Sequence, residues 1–480
     1  MASNRPGALW ALVATSVPMF MVSLDNLVVT NALVNMSNDF KVKQSELQWV
    51  VNGYVLAFAG LLLAGAALGD RFGRRRVFNW GVVLFTLGSA ACGLADSVGQ
   101  LVAARVVQGA GAAAILPVSL TLAVAAVPQA QRALAVGVWG GVNGLGIAVG
   151  PLAGGLVTEG LDWHWIFWIN VPVGLIAVPL ALWAIRESKG RDSNLDVVGM
   201  ALVTGAVISA VWGIVGAADH GWAAPRTVLG LALAVALLVA FIAFERRTEQ
   251  PLVPLAMYRI RSFMVSNAVS LTMYFGVFGS IFFLAQFMQG PMGYSPFAAG
   301  LRTLPWTAAP MVVVPIASML VDRIGGGILQ AAGSALQAVS LAWIALIITP
   351  DISYGALVPA LVLAGVGMGL VFAANPATVI SSVAEHEHNK ASGVNNTIRE
   401  FGGALGIAVL TTIFTHGFNS QLAKGSHDAP EAFVHGLQQA IWLGVAVVLI
   451  GALGALLIRK PLPPAPQQAT AEPRPAVAVD

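Results

Sequence analysis

Apolar residues run along this chain in blocks of about twenty, with few charges inside a block and short polar connections between blocks. A bilayer core is crossed by about 20 helical residues rising about 1.5 Å each. Blocks at 9–34, 48–69, 77–95, 101–126, 133–158, 165–185, 196–217, 226–244, 262–288, 298–320, 328–348, 356–380, 391–416 and 437–458 therefore predict fourteen membrane-spanning helices and no strands. The first block is too long for a cleaved leader, lacks a small-residue cleavage site and leads straight into the next, so it reads as a span. The tail from Pro461 to Asp480 is rich in Pro and Ala and is expected to be disordered.

Composition sharpens this reading. Of the 480 residues, 57% are hydrophobic and 10% charged, with a mean hydropathy of +0.79. A globular domain is about a quarter charged. The chain is thus predicted to be an all-α integral membrane protein with the lipid bilayer as its surroundings. The 52 glycines suit helices that approach closely. Cys92 is the lone cysteine, which excludes an internal disulfide and a thiolate metal cluster; no cofactor or metal is expected. The net charge of +3 does not point to nucleic acid, because it comes from the loops. With the N-terminus inside, nineteen Lys and Arg fall in inner segments, five in outer ones, and Arg105 within a span. That bias predicts both termini in the cytoplasm. Trp163, Trp165 and Trp168 cluster at an outer turn, as an aromatic belt would.

The densest charge lies at Gly69-Asp70-Arg71-Phe72-Gly73-Arg74-Arg75-Arg76, after the second block. Gly73 suits a tight turn and the arginines hold the loop inside. Asp70 can pair with an arginine or a neighbouring helix N-terminus and latch one conformation. The run Leu68-Gly69-Asp70-Arg71-Phe72-Gly73 returns as Leu320-Val321-Asp322-Arg323-Ile324-Gly325, 252 positions on. If each half has six spans, this repeat leaves two extra spans between them, a 6 + 2 + 6 layout. The expected units are 1–186, a two-helix linker 187–261, a second half 262–460, and the tail 461–480.

Titratable groups inside spans mark function by default. Asp25 is the only carboxylate of the first span, and a desolvated Asp can carry a proton. Counted along the helices, Asp25 lies about nine residues from the outer end of span 1 and Arg105 about four from that of span 4, depths within two turns of one another. Electrostatic coupling of Asp25 and Arg105 is one reading. An Arg105 that snorkels to the interface, or an Asp25 bonded to Asn26 or the backbone, are the others. In span 5, Gly146, Gly150 and Gly154 recur every four residues, with Gly155 and Pro151 beside them, predicting a smooth face and a bend. Glu400, beside Arg399, lies near the midplane of span 13 as a candidate cavity acid. Met273, Phe275, Phe278, Phe282, Phe283 and Phe287 in span 9 read mostly as packing, with Met273 and Phe278 taken as lining an adaptable pocket. Glu385-His386-Glu387-His388 reads as a loop, not a metal site. His427, Asp428, Glu431 and His435 read as a solvated hairpin. Gly365, Gly367 and Gly369 sit mid-span with no strand before them, unlike a dinucleotide loop.

The loop after span 2 resembles the signature of the major facilitator superfamily, Gly-x-Leu-x-Asp-Arg-x-Gly-Arg-Arg, through Leu68, Asp70, Arg71, Gly73, Arg74 and Arg75. Ala66 stands where that pattern has its first glycine, which implies a looser approach of the neighbouring helix. Arg105-Val106-Val107-Gln108-Gly109-Ala110-Gly111 is similar to the family's span-4 motif, which implies proton coupling. The Gly146 to Gly155 run is similar to its antiporter motif, which implies export. Leu24-Asp25 with Asn31-Ala32-Leu33 resembles the span-1 motif of the fourteen-span drug:proton antiporters, although Leu27 and Val34 depart from it. The turn from Trp163 to Gly174, the run Gly293-Tyr294-Ser295-Pro296-Phe297-Ala298-Ala299-Gly300 and Gly402-Gly403-Ala404-Leu405-Gly406 resemble the same branch.

The resemblance implies a monomeric, proton-coupled antiporter of the prokaryotic cytoplasmic membrane, exporting small lipophilic or cationic drugs by alternating access. Asp25 and Arg105 would couple protons. Asp25, Glu400, Phe278 and Met273 would line the substrate cavity. Asp70, Arg71, Gly73, Arg74, Asp322 and Arg323 would gate it. The alternatives are a dedicated exporter of one natural product or metabolite, an integral-membrane enzyme, for which no polar catalytic cluster is visible, and a transport-dead sensor.

Overall fold

The computed structural model describes residues 7–42, 44–160, 162–190, 196–249, 251–423 and 429–458. The tail 461–480 and His427 and Asp428 lie outside them. The described chain is helical throughout: α1 (Ala8–Phe40), α2 (Gln44–Phe72), α3 (Arg74–Gly93), α4 (Val98–Ala125), α5 (Arg132–Gly160), α6 (Trp165–Trp168), α7 (Asn170–Ala184), α8 (Val197–His220), α9 (Pro225–Glu245), α10 (Arg261–Gln289), α11 (Pro296–Thr307), α12 (Ala309–Ile324), α13 (Gly326–Ile347), α14 (Tyr354–Ser381), α15 (His388–Ala423) and α16 (Ala429–Ala455).

The apolar blocks predict fourteen spans, whereas twelve helices among the described residues are long and apolar enough to cross a membrane. The two blocks outside that number form α3, which begins on three arginines, and α5, whose apolar stretch Leu134–Gly146 is short. Two blocks fold as broken helices. Pro310 has no amide hydrogen for the carbonyl of Trp306, and the chain breaks at Ala308 between α11 and α12. Pro172 stands likewise four residues after Trp168, and α6 stops there. Around the outside, α9 presents Leu229, Leu233, Val235 and Val239 as an exposed apolar strip, as lipid contact requires.

α1 to α7 bury one pair of apolar clusters, around Phe58, Phe78 and Phe85 and around Leu101, Trp163 and Phe167. α10 to α16 bury another, around Phe283, Leu341, Leu361 and Leu437. The α8–α9 hairpin packs on both: Phe241, Leu252 and Met257 share a cluster with Leu63, Phe263, Val379 and Val394, and Trp222 Nε1 donates to Thr412 Oγ1 of α15 at 2.7 Å.

The bundle has two ends. The basic face holds Arg74 to Arg76, and the far face holds the α5–α6 turn. On the basic face, Gly73 (φ +112) and Gly325 (φ +102) both turn one helix into the next in a conformation that L side chains rarely adopt. The sequence repeat is thus a repeat of backbone geometry. On the far face the aromatic-belt reading changes. Trp165 is exposed, but Trp163 is buried, stacked on His164, with its Nε1 donating to Asp39 at 3.0 Å. It pins the turn to α1.

Candidate functional site

The residues of highest chemical interest collect in a polar nest near the far face. Asp25 of α1 forms an ion pair through Oδ2 with Arg105 Nη1 of α4, and both side chains are fully buried. Gln108 Nε2 and Asn170 Nδ2, from α4 and α7, donate to Asp25 Oδ1 at 2.8 and 3.0 Å. Arg105 Nη1 also donates to Gln108 Oε1 at 2.7 Å, and Nε donates to the Val50 carbonyl at 3.2 Å. Ser89 of α3 accepts from Gln108 and Asn170 at 3.2 and 3.0 Å and donates to the Phe167 carbonyl at 2.9 Å. The guanidinium lies 4.1 Å above the ring of Tyr54. Arg105 therefore does not snorkel outward. The side chain of Asn26, the other partner considered for Asp25, lies outside the described residues.

Small residues set this geometry. A Cβ on Gly88 of α3 would stand 2.8 Å from the backbone nitrogen of Gln108; on Gly109, 2.5 Å from the Tyr54 carbonyl; on Gly111, 2.5 Å from Phe85 nitrogen. The Arg-x-x-Gln-Gly-x-Gly order thus presses α4 flush against α2 and α3, which brings Arg105 and Gln108 to Asp25. Such a pair has little net worth as stabilisation, but removing one partner strands a buried charge at a cost of about 3–5 kcal/mol. The sequence motifs include Gln108 and Asn170 without assigning them a role. Ser89 and Tyr54 carry no local signal, because only the packing of four helices makes them neighbours.

Three residues before Asp25, on the same helix, the wall of a central cavity begins. Val22, Ser23, Phe58, Leu116 and Asn143 from the first half face Tyr274, Phe278, Asn396, Arg399 and Glu400 from the second. The cavity measures about 40 Å³, room for a few waters and not for a drug. Ser23 Oγ donates to Asn143 Oδ1 at 2.6 Å. Tyr274 and Phe278 stack at 4.8 Å. Arg399 donates to the Tyr274 hydroxyl and lies 4.6 Å above its ring. Arg399 and Glu400 therefore diverge, and among the described residues the Glu400 carboxylate has neither an ion pair nor a hydrogen bond. Met273 does not line the cavity; it is buried in the second half's apolar core.

The span-5 glycines Gly146 and Gly155 approach two different helices. A Cβ on Gly146 would meet Ser23 Cβ of α1 at 2.6 Å, and one on Gly155 would meet Phe297 Cα of α11 at 2.7 Å. Gly150 and Gly154 are buried. The side chain of Pro151 lies outside the described residues.

The basic-face loop is a clamp built largely by a residue the motif does not contain. Asp70 Oδ1 accepts from Arg74 Nε at 2.9 Å. The Glu187 carboxylate, just beyond α7, accepts from the backbone amides of Arg75 and Arg76 at 3.0 and 3.2 Å. It caps the N-terminus of α3, where a negative charge is favoured. Arg75 in return donates to the last carbonyls of α7, Leu182 and Ile185. Gly190 N donates to the Asp70 carbonyl at 2.9 Å. Arg71 is exposed. In the second half, Asp322 and Arg323 are also exposed, and Asp322 has no ion pair among the described residues.

Across the halves on this face, Asn389 of α15 donates to the Ala66 carbonyl and accepts from Thr121 at 3.2 Å, Ser392 donates to the Pro117 carbonyl at 3.1 Å, and Arg132 pairs with Glu385 at 2.9 Å. Ala66 does not loosen the approach. The glycine stands on the other helix instead: a Cβ on Gly393 would lie 3.0 Å from Ala66 Cβ. Deeper in the second half, Asn267, Ser270, Asn375, Asn395 and Gln330 form a closed amide and hydroxyl network.

Comparison with known proteins places this architecture. Residues 15–407 match the family model described as Major Facilitator Superfamily. The multidrug resistance protein Stp of Mycobacterium tuberculosis is 35% identical over 416 residues, 86% of this chain and 77% of that protein. The puromycin resistance protein pur8 of Streptomyces alboniger is 37% identical over 469 residues, 94% of this chain and 92% of that one. In fold, the human organic anion transporter MFSD10 superposes with a TM-score of 0.68 at 12% identity, covering 94% of this chain and all of its own. With its helical halves, its glycine-shaped motifs and these matches, the chain belongs to the Major Facilitator Superfamily.

Proposed function

We propose that this multi-pass membrane transporter exports lipophilic cationic drugs or antibiotics across a bacterial cytoplasmic membrane in exchange for protons. The observation that carries the reading is the fully buried Asp25–Arg105 pair one helical turn from the cavity wall. Protonation of Asp25 would cancel the ion pair and leave the nest with a net positive charge. That charge disfavours a cation in the adjoining cavity, so proton and substrate compete and exchange. Glu400 offers a carboxylate for the cation, and the Tyr274–Phe278 stack offers an aromatic wall. A relative named for multidrug resistance and another named for puromycin resistance support drug export. The second of those names also favours the rival reading, a dedicated exporter of one compound.

The basic face is read as cytoplasmic, from the bias of Lys and Arg toward the connections on that side. Closed there by Asp70, Glu187 and the Asn389 contacts, the protein would stand in a state that releases substrate outward. We read α3 and α5 as spans as well, despite their arginines and glycines, giving fourteen in a 6 + 2 + 6 arrangement. The halves would be 1–186 and 262–460, the α8–α9 hairpin of 187–261 would be the inserted pair, and the working unit a monomer.

Everted vesicles incubated with a panel of antibiotics and dyes test this. Uptake driven by an imposed pH gradient, abolished by a protonophore and lost in Asp25→Asn, is the expected result. Activity of Asp25→Asn equal to wild type would remove Asp25 from proton coupling. Uptake of a single compound from the panel would select the dedicated exporter.

A further inference from the structure

Tyr54 of α2 is fully buried, yet among the described residues its hydroxyl has no hydrogen-bond partner. Nor has Nη2 of Arg105, the guanidinium stacked on the same ring. Two adjacent orphaned polar groups in a packed interior are costly, about 1–3 kcal/mol each. Groups of this kind are ordinarily bridged by a buried water. The position is also specific. Charged groups face Tyr54 from three elements: Asp25 on α1, Arg105 on α4 and Glu400 on α15, each within electrostatic reach of the hydroxyl. One turn along α2, its ring packs at 5.6 Å on Phe58, which lines the cavity. Tyr54 therefore touches the proton nest on one side and packs on a residue of the cavity that holds Glu400 on the other.

We propose that Tyr54 is the positioning residue that couples these two acids. A water held between its hydroxyl and Arg105 Nη2 extends the Asp25–Arg105 network toward Glu400. A cation arriving at Glu400 polarises that bridge and draws Arg105 away from Asp25 or back to it. The ring keeps Arg105 in place by cation–π attraction when Asp25 is protonated. No covalent step is involved; one proton enters at Asp25 and the same proton leaves from it. The inference rests on the antiport reading and names the residue through which its two sites would communicate.

Tyr54→Phe keeps the ring and removes only the hydroxyl. In proteoliposomes, substrate–substrate counterflow, which moves no net proton, is expected to stay within about twofold of wild type, while uptake driven by a pH gradient falls about tenfold, the size of one hydrogen bond. Substrate-induced proton release should shift in its pH profile. Glu400→Gln added to Tyr54→Phe should cost pH-driven uptake little beyond the greater single loss, since both cut one path. Equal loss of counterflow and pH-driven uptake in Tyr54→Phe would make Tyr54 a packing residue and overturn the proposal, as would unchanged coupling or strictly additive losses. Wild-type protein that releases no protons on binding substrate would instead overturn the antiport reading itself, and the coupling role with it.

Discussion

The two halves repeat each other in backbone and differ in charge. The first half carries its chemistry as ions. Asp25 and Arg105 are buried near the far face, and Asp70, Arg74 and Glu187 clamp the basic face. Apart from Arg399 and Glu400 at the cavity and His388 at the start of α15, the second half buries neutral polar groups. Val277 stands 252 positions on from Asp25, and Leu341 the same distance from Ser89, both fully buried. The polar cluster of this half lies toward the basic face. Asn375 there donates to Gln330 Oε1 and accepts from Ser270, and Asn395 donates to Asn267, Ser270 and Asn375. A network of amides closes on itself at any pH and has no second protonation state to visit. A carboxylate–guanidinium pair has one. On the proposed antiport this difference would put proton work in the first half, while the second adds one acid, Glu400, to the shared cavity.

The largest expected break comes from the ion pair. Asp25→Asn should abolish pH-driven transport and also destabilise the protein by about 3–5 kcal/mol, because Arg105 is left buried without its counter-charge. Asp25→Asn with Arg105→Gln should restore most of the stability and none of the coupling. Thermal unfolding in detergent, read beside vesicle uptake, separates the two. Transport recovered by the double variant would show that the pair is a structural strut, and the contrast between halves would lose its functional meaning.

A smaller effect is expected at the repeated turn. Gly73→Ala forces a side chain onto a φ of +112° and sets its Cβ 2.8 Å from the Glu187 carboxylate. Backbone strain alone costs about 1–3 kcal/mol, and loss of the Glu187 cap adds to it. Gly325→Ala meets the same backbone penalty, but among the described residues no carboxylate caps that turn. Gly73→Ala should therefore slow transport more than Gly325→Ala at equal expression, measured as initial efflux rates. Equal slowing would place the gate in the backbone turn common to both halves and take it away from the charges.

In the amide cluster, Asn375→Leu removes bonds to Ser270, Gln330 and the Ser266 carbonyl. Hydrogen bonds inside membrane bundles average about 0.6 kcal/mol, so a loss of about 1–2 kcal/mol in stability is expected. The ratio of protons to substrate moved should stay at its wild-type value. A changed ratio, measured in proteoliposomes at fixed gradients, would put proton work in the second half too.

What the sequence makes legible follows from the range of the interactions involved. Long apolar blocks announce helices because the bilayer demands them. The glycine orders of α4 and the loop after α2 announce close contacts, since only small residues allow them. Asp25 and Arg105 stand out because ions in apolar blocks are rare. Their shared shell is not legible. Ser89 and Asn170 look like ordinary helix residues, and Glu187 looks like a polar linker residue until α7 brings it to the N-terminus of α3. Met273 reads like Phe278, because composition does not tell one face of α10 from the other. The breaks at Ile169 and Ala308 were carried by Pro172 and Pro310, but a proline inside an apolar block announces a bend as readily as a stop.

The smallest effect tests the contact between halves at its closest point. Ala66 occupies the place where the family pattern has glycine, and Gly393 faces it from α15. If the fit depends on one glycine at the crossing and not on which helix supplies it, Gly393→Ala should weaken the closed basic face. A Cβ there stands 3.0 Å from Ala66 Cβ and 3.3 Å from Leu63, a contact relieved by a shift of a few tenths of an ångström. The penalty should then be small, about 0.5–1 kcal/mol, partly offset because alanine favours a helix over glycine. Ala66→Gly added to Gly393→Ala should return the crossing to one methyl group and restore the closed state. Accessibility of a cysteine placed at Ser392 to a membrane-impermeant thiol reagent, in a Cys92→Ser background, reads that state directly. Labelling should rise in Gly393→Ala and fall back in the double variant. Labelling that stays high in the double variant would mean that the glycine must sit on α15, where the neighbouring Asn389 bond to the Ala66 carbonyl depends on it.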